Sequence, residues 1–413
     1  MSRVPVEEDI GISSFLSSTP GVGGKLRKRI EDFYVEEIPV EHKRESLGKN
    51  LWLKVKLINW ETNRFVNILS KTLGISRHRI KFAGTKDKRA ITVQYFCILN
   101  YPEDIKINLK DVEIIESFRS NESLELGDLI GNRFRIFLSD ATCDSRIKRI
   151  EEELGGKFPN FFGVQRFGAS RPITHIVGRF IIKGDYQEAV RYYIGYPSPF
   201  ENDKGRRIFF EELNAKETLK NIGKNATYER AMLNYLVKNP GDYVGALKTL
   251  PRNLTLLFIH GYQAYLFNKM VSRRLEHGID LEIGDIVMKV NEHGLPVQEF
   301  VEVDSFNIST LRRKVEDGKA YISTILVGYL TKFSGGIQGK IEREVLEEED
   351  IKREMFKIRE IRELSSRGRR RNIIAPFLNY SREGCLFKFF LYKGSYATSL
   401  MREFMKRREL HYY

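Results

Sequence analysis

Cysteine is scarce in this chain. Three occur in 413 residues, Cys97, Cys143 and Cys385, and none forms a C-x-x-C. That excludes a thioredoxin-like redox pair and a paired-thiolate zinc ribbon, and an odd, widely spaced set fits a reducing cytosol. The seven histidines give no H-E-x-x-H, and none sits beside cysteine at zinc-ligand spacing, so no metal is expected. No apolar run reaches the roughly 18–20 residues of a membrane-spanning helix, so no membrane association is expected. The stretch from Met1 to Leu16 carries Glu7, Glu8 and Asp9 and lacks an apolar h-region, so it does not read as a secretory signal. Nucleotide fingerprints are missing as well. Gly21-Val22-Gly23-Gly24 lacks the third glycine of a dinucleotide loop, and a P-loop at Gly339-Lys340 fails on Ser334 and Ile341. With no G-x-S-x-G elbow either, the chain offers no sign of a cofactor or of serine-hydrolase chemistry.

What is present is charge and a globular balance. Hydrophobic residues make up 41 % and charged residues 30 % of the chain, which fits a folded protein. A chain this long exceeds one ordinary core, so two domains are expected. The formal net charge of +14 points to a polyanionic partner, of which nucleic acid is the commonest, although a solubility charge fits the same number.

The order of patterns is β-rich, then α-rich, then β-rich. Residues 1–24 read as an arm ending in a turn. Leu51, Leu53, Val55 and Leu57 alternate onto one face of a strand, and Phe65, Val66, Leu69 and Leu73 follow at helical spacing, stopped by Gly74. Ile91–Leu99, Asp111–Ser117 and Phe134–Leu138 read as strands, and Ile147, Ile150 and Leu154 mark a helix. Helical patterns then dominate to about residue 370, with strand-like interruptions at Asp285–Val290 and Tyr321–Tyr329. The charged stretch from Lys340 to Leu364 reads as a solvated helix with i,i+4 pairs such as Glu349 with Arg353. It runs into Arg367, Arg369, Arg370 and Arg371, which fit a phosphate-binding patch or an exposed loop equally well. Cys385–Tyr392 reads as a strand buried on both faces, and Ala397–Leu410 as a basic helix. One terminal strand cannot fold alone, so it is expected to complete the sheet begun before residue 140.

One loop stands out chemically. Phe82-Ala83-Gly84-Thr85-Lys86-Asp87-Lys88-Arg89-Ala90 joins a helix to a strand and sets one carboxylate among three cations. Lys86, Lys88 and Arg89 favour the ionised form of Asp87 and attract a phosphate backbone to the same spot. The same string also suits an exposed turn of weak ion pairs.

The segment FAGTKDKRAITVQ, residues 82–94, resembles the signature of the TruD family of tRNA pseudouridine synthases, and further stretches resemble that family in its order. They are Glu31-Asp32-Phe33 with Val35-Glu36-Glu37, Gly131-Asn132-Arg133-Phe134, the ten residues PNFFGVQRFG at 159–168, Gln263-Ala264-Tyr265-Leu266-Phe267-Asn268, and Gly394-Ser395-Tyr396-Ala397-Thr398-Ser399 with Arg402-Glu403. The resemblance implies an α+β fold: a pseudouridine synthase-type catalytic domain with a mixed, largely antiparallel sheet flanked by helices, interrupted by a mainly helical inserted TRUD domain. Residues 1–164 and 371–413 form the catalytic part under this reading, and 165–370 the insert. The resemblance further implies Asp87 as the catalytic aspartate, Asn132 and Phe134 as residues that hold the target uridine, and Tyr396 as an aromatic lining the pocket. Arg27 stands where the family has a functional lysine, so a planar guanidinium replaces an ammonium. Lys86, Lys88, Arg89, Arg369, Arg370 and Arg371 are the expected RNA-binding cations. The implied activity is isomerisation of uridine to pseudouridine in tRNA, at position 13 by analogy, by a cytoplasmic monomer that needs no cofactor, metal or protein partner. A catalytically inactive RNA-binding protein on the same scaffold is the alternative, which the retained Asp87, Asn132 and Phe134 disfavour.

Overall fold

In the computed structural model, residues 3–86, 88–168, 170–201 and 203–413 are described; Asp87 therefore lies outside the described residues. An eight-stranded sheet dominates one half. Its path runs Leu378–Glu383, Leu386–Tyr392, Leu129–Phe137, Phe33–Pro39, Ile91–Ile98, Asn50–Ile58, Val112–Ser120, with Ile80–Phe82 also paired to Ile91–Ile98. Only the contact of Phe33–Pro39 with Ile91–Ile98 is parallel. The C-terminal strand pairs residue for residue with Leu129–Phe137, as the isolated-strand argument requires. Its side chains do alternate, with Phe387, Phe389 and Leu391 buried and Leu386, Lys388, Phe390 and Tyr392 less so. The expectation of burial on both faces is thus corrected: the strand has one covered face.

The Leu51, Leu53, Val55, Leu57 face packs as read on Phe65, Val66 and Leu69 of the helix Thr62–Thr72. That helix is capped by Glu61, whose carboxylate accepts from the Asn63 and Arg64 amides. The loop of interest follows from how the next strand is shared. Ile91–Ile98 pairs with Ile80–Phe82 through residues 96–98 but with Phe33–Pro39 through residues 91–93 on the same side. Residues 83–86 and 88–90 lie off the sheet, because the place in the ladder beside residues 91–93 is taken by Phe33–Pro39. At the changeover, the Tyr95 N–H meets no strand and donates instead to Oε2 of Glu37 at 3.1 Å.

The N-terminal arm is bound rather than loose. Arg402, 2 % exposed, donates to Glu7 Oε1 at 2.7 Å and to Glu403 Oε1 at 3.2 Å, and its guanidinium lies 3.7 Å over Phe15. Glu403 in turn accepts the amides of Leu16 and Ser17. This ties the arm to the helix Ala397–Met405, which is shorter than the Ala397–Leu410 span expected. Cys143 and Cys385 form a disulfide although 242 residues separate them. The reading of sparse, solitary cysteines missed it, because only the sheet topology brings the two together.

The other half begins with helices from Thr174 to His277, the last of them the 26-residue Arg252–His277, and continues into an antiparallel four-stranded sheet. Its order is Pro296–Glu302, Ile286–Val290, Ala320–Leu326, Arg369–Asn372. The charged stretch after Lys340 is not a solvated helix. Gly336–Glu348 buries Ile341, Glu342, Val345 and Leu346, and short 3-10 turns follow. Glu349 pairs with Lys269 at 2.7 Å instead of with Arg353. Asn268 clasps the halves together: its amide accepts from Phe162 N and donates to the carbonyls of Phe162 and Ile10.

Arg274 anchors the long helix to the sheet. It is fully buried and holds Asp285 bidentately at 2.7 and 2.9 Å, with further bonds to the carbonyls of Gly278 and Asp280. Removing one partner leaves a buried charge uncompensated. Arg274→Ala is expected to lower stability by about 3–5 kcal/mol, whereas Arg274→Met with Asp285→Leu should recover much of the loss. Denaturant midpoints of the three proteins test this.

Candidate active site

The sheet and the long helix meet around an open pocket of about 430 Å³, a volume suited to a nucleoside. Arg27, Lys86, Asn132, Phe134 and Tyr396, which are far apart in sequence, all line it. Each is placed by a different device. Arg27 sits at φ 54°, a left-handed turn before Phe33–Pro39, and its guanidinium lies 4.1 Å over the Phe33 ring. Asn132 and Phe134 point the same way from one strand, two residues apart. Phe134 is 7 % exposed, held between Phe33 at 6.1 Å and Phe389 at 5.4 Å, so it forms a fixed wall. Asn132 Oδ1 is buried with no hydrogen-bond partner among the described residues. A bound group that satisfied it would recover a desolvation cost of roughly 1–3 kcal/mol. Tyr396 precedes the helix Ala397–Met405 and packs on Phe162 at 5.9 Å.

The segment that carries Asp87 is pinned on both sides. Before it, Lys86 N–H donates to Thr62 Oγ1 at 2.9 Å, and Lys86 Nζ pairs with Glu37 Oε1 at 2.5 Å. Thr62 leans on Gln94, and Gln94 on Thr92, in a buried chain of hydrogen bonds. After it, Ala90 N–H donates to the Lys88 carbonyl at 2.9 Å, and Arg89 donates to the Lys28 carbonyl at 2.9 Å. Lys86 and Ala90, the one immediately before Asp87 in the chain and the other three residues after it, both line the pocket. Lys88 and Arg89 are exposed and do not line the pocket.

Apart from Tyr396, sequence reasoning missed the pocket residues contributed from beyond position 160. Gln165, Arg166, Leu257 and Thr398 line the same pocket. Gly163 sets the first two: a Cβ there would stand 2.5 Å from Thr398 Oγ1 and 2.7 Å from Gln165 Oε1, so only glycine lets this turn approach. The PNFFGVQRFG string carried the signal, but it marked a motif without marking which side chains face the cleft.

The arginine run needs correction. Arg369–Asn372 is a strand, so successive side chains cannot share one face. Arg369 is exposed. Arg370 is 6 % exposed and pairs with the fully buried Glu342 at 3.3 Å while bonding Ser323, Lys332 and Ser334. Arg371 is partly buried, 4.2 Å over Phe162, and donates to the carbonyl and side chain of Asn160. Burial pulls it down to about 10, still cationic at neutral pH. Arg370 and Arg371 are therefore structural cations, not members of an exposed patch. Arg370→Ala is expected to cost about 3–5 kcal/mol of stability, while Arg369→Ala leaves the thermal midpoint essentially unchanged. Thermal denaturation of the two single variants checks this.

Comparison with known proteins shows the family and the fold. The family model described as tRNA pseudouridine synthase D (TruD) matches residues 9–404. The chain is 41 % identical over 435 aligned positions to a Methanococcoides burtonii protein named "Probable tRNA pseudouridine synthase D", covering 98 % of each. It is 37 % identical to a Pyrococcus furiosus protein of the same name, covering 97 % of this chain and all of that one. A crystal structure from Methanosarcina mazei, assigned provisionally to the same enzyme, superposes with a TM-score of 0.83 at 39 % identity, covering 99 % of this chain and 100 % of the other.

Proposed function

Because the chain belongs to the tRNA pseudouridine synthase D family, we propose that its cleft isomerises uridine to pseudouridine in tRNA, with Asp87 as the catalytic carboxylate. The observation that carries this reading is the convergence of Arg27, Lys86, Asn132, Phe134 and Tyr396 on one pocket, which Ala90 also lines. A uridine inside a helix cannot present its ribose to a carboxylate, so the nucleotide leaves its stack and enters the pocket. Phe134 and Tyr396 supply apolar surface for the base, Asn132 an amide for its polar edge, and Arg27 and Lys86 positive charge for the phosphates. Asp87 acts on the reacting nucleoside. The N1–C1′ bond breaks, the uracil turns, C5 bonds to C1′, a base takes the C5 proton, and N1 takes up a proton to become N–H. Atoms balance without net oxidation or hydrolysis.

Arg369, Lys88 and Arg89 extend the positive surface outside the pocket and serve the RNA backbone. The target is uridine at position 13, on the family resemblance, and the enzyme acts in the cytoplasm as a monomer without a protein partner. Residues 1–164 with 371–413 make up the catalytic part and 165–370 the insert. In support, one core draws only on residues from Ile173 to Leu364, and another on Val22–Phe158 with residues 375–405. The return junction falls inside the strand Arg369–Asn372.

Asp87→Asn keeps the shape and removes the charge and nucleophilicity. It is expected to lower pseudouridine formation on a tRNA transcript by about 10³-fold or more while binding the transcript within a few-fold of wild type. Turnover near the wild-type rate would remove Asp87 from this role. Sequencing the modified transcript tests the position.

A further inference from the structure

Two further cavities adjoin the active-site pocket in series. The first, about 320 Å³, shares Arg166 with the active-site pocket and is otherwise formed around His260, Arg367 and Arg369. The second, about 510 Å³, shares Arg367, Gly368 and Arg369 with the first and ends on Phe300 and Leu330. The shared residues make the three cavities one track, from the wall beside Tyr396 to the outer strand Pro296–Glu302 of the four-stranded sheet.

The chemistry changes along that track. No carboxylate lines the middle cavity. Arg166, Arg367 and Arg369 make no ion pair among the described residues, and Arg166 Nε is buried without a hydrogen-bond partner. His260 is pulled below its ordinary value chiefly by burial, and the Arg166 and Arg369 guanidiniums push it the same way. Such a cluster suits phosphate, for which arginine forks are geometrically matched.

The outer cavity is different. Its polar side chains are already occupied: Gln298 bonds both ways to the Arg370 backbone, Thr331 bonds Gly328, and Lys332 pairs with Glu302 at 2.8 Å. What remains open, beside the shared Arg367 and Arg369, is apolar. Phe300 is 44 % exposed and Leu330 64 % exposed. An aromatic face beside unpaired arginines is the arrangement that binds an unstacked base and its phosphates.

We infer that the insert carries a second nucleotide subsite, in which an unpaired nucleotide of the RNA strand that carries the target uridine rests on Phe300 and Leu330 while Arg166, Arg367 and Arg369 hold the intervening phosphates. The inference rests on the proposed function, since it takes the occupant of the active-site pocket to be a nucleotide of the same strand. It makes the enzyme select RNA with a second unpaired base at a fixed distance from the target. Readout there is by stacking and backbone charge, so it tolerates any base.

The test uses the full-length protein and a tRNA transcript on which pseudouridine formation is first measured. Single abasic nucleotides are then placed at successive positions on either side of the target, and affinity is measured for wild type and for Phe300→Ala. One position is expected at which wild type loses about tenfold in affinity. Phe300→Ala should bind the intact RNA at that weakened level and lose nothing further at that position. Arg367→Ala should flatten the salt dependence of binding by roughly 0.7–0.9 in log–log slope. Phe300 and Arg367 are surface residues, and unchanged thermal midpoints separate a binding effect from unfolding. Equal abasic losses in wild type and Phe300→Ala at every position would overturn the subsite, with pseudouridine formation still intact. Failure of wild type to form pseudouridine on any transcript would instead strike the proposed function itself.

Discussion

The Glu37 carboxylate sits where two strands compete for one side of Ile91–Ile98, and its two oxygens do two jobs. Oε2 takes the Tyr95 N–H that no strand reaches, and Oε1 takes the Lys86 ammonium. The side chain of Glu37 is 1 % exposed, so leaving either bond unmade would strand a charge in the interior. The sheet thus gains a plug where the two strands change over, and the loop next to the pocket gains a fixed post. Lys86 is the residue before Asp87 in the chain, so the same carboxylate fixes the last described residue ahead of it. A flexible loop would carry the same residues but would not deliver them to a wall shared with Phe134 and Tyr396.

The opposite wall depends on ties between distant parts of the chain. Tyr396 is set by the helix that follows it. That helix carries Arg402 and Glu403, which hold the N-terminal arm by its Glu7 carboxylate and its Leu16 and Ser17 amides. Arg371 spans from the returning strand to Asn160 and Phe162, and Asn268 grips Phe162 from the long helix. The segment 160–166 is therefore held from two directions before it offers Gln165 and Arg166 to the pocket. The pocket is assembled by packing between the two halves and belongs to neither alone.

Much of this was legible in the sequence, and the rest fails for identifiable reasons. The alternation of Leu51 to Leu57 and the spacing of Phe65 to Leu69 gave their elements because each has one covered face, which period alone reveals. The motif resemblance gave Arg27, Asn132, Phe134 and Tyr396 because short strings keep side-chain order, and the charge of the loop at 82–90 pointed to Lys86. Three things were not legible. The run at 369–371 looked like one basic patch, since composition does not distinguish a strand's two faces. Glu342 and Glu349 looked like solvated charges, since the arginine, lysine and tyrosine side chains that bury them come from distant elements. Cys143 and Cys385 looked solitary because only strand order shows that they meet. Each miss is a long-range contact, and single-sequence patterns report local ones.

The central claim is that the pocket between Phe134 and Tyr396 receives the uridine that is isomerised. A crystal structure of the Asp87→Asn protein bound to a tRNA substrate tests it most directly. The account predicts one uridine rotated out of its stack, its ring against Phe134 and Tyr396, its polar edge bonded to Asn132, and its ribose facing residue 87. A target uridine still stacked in the RNA, or seated in any other cavity while this pocket holds only solvent, would contradict it.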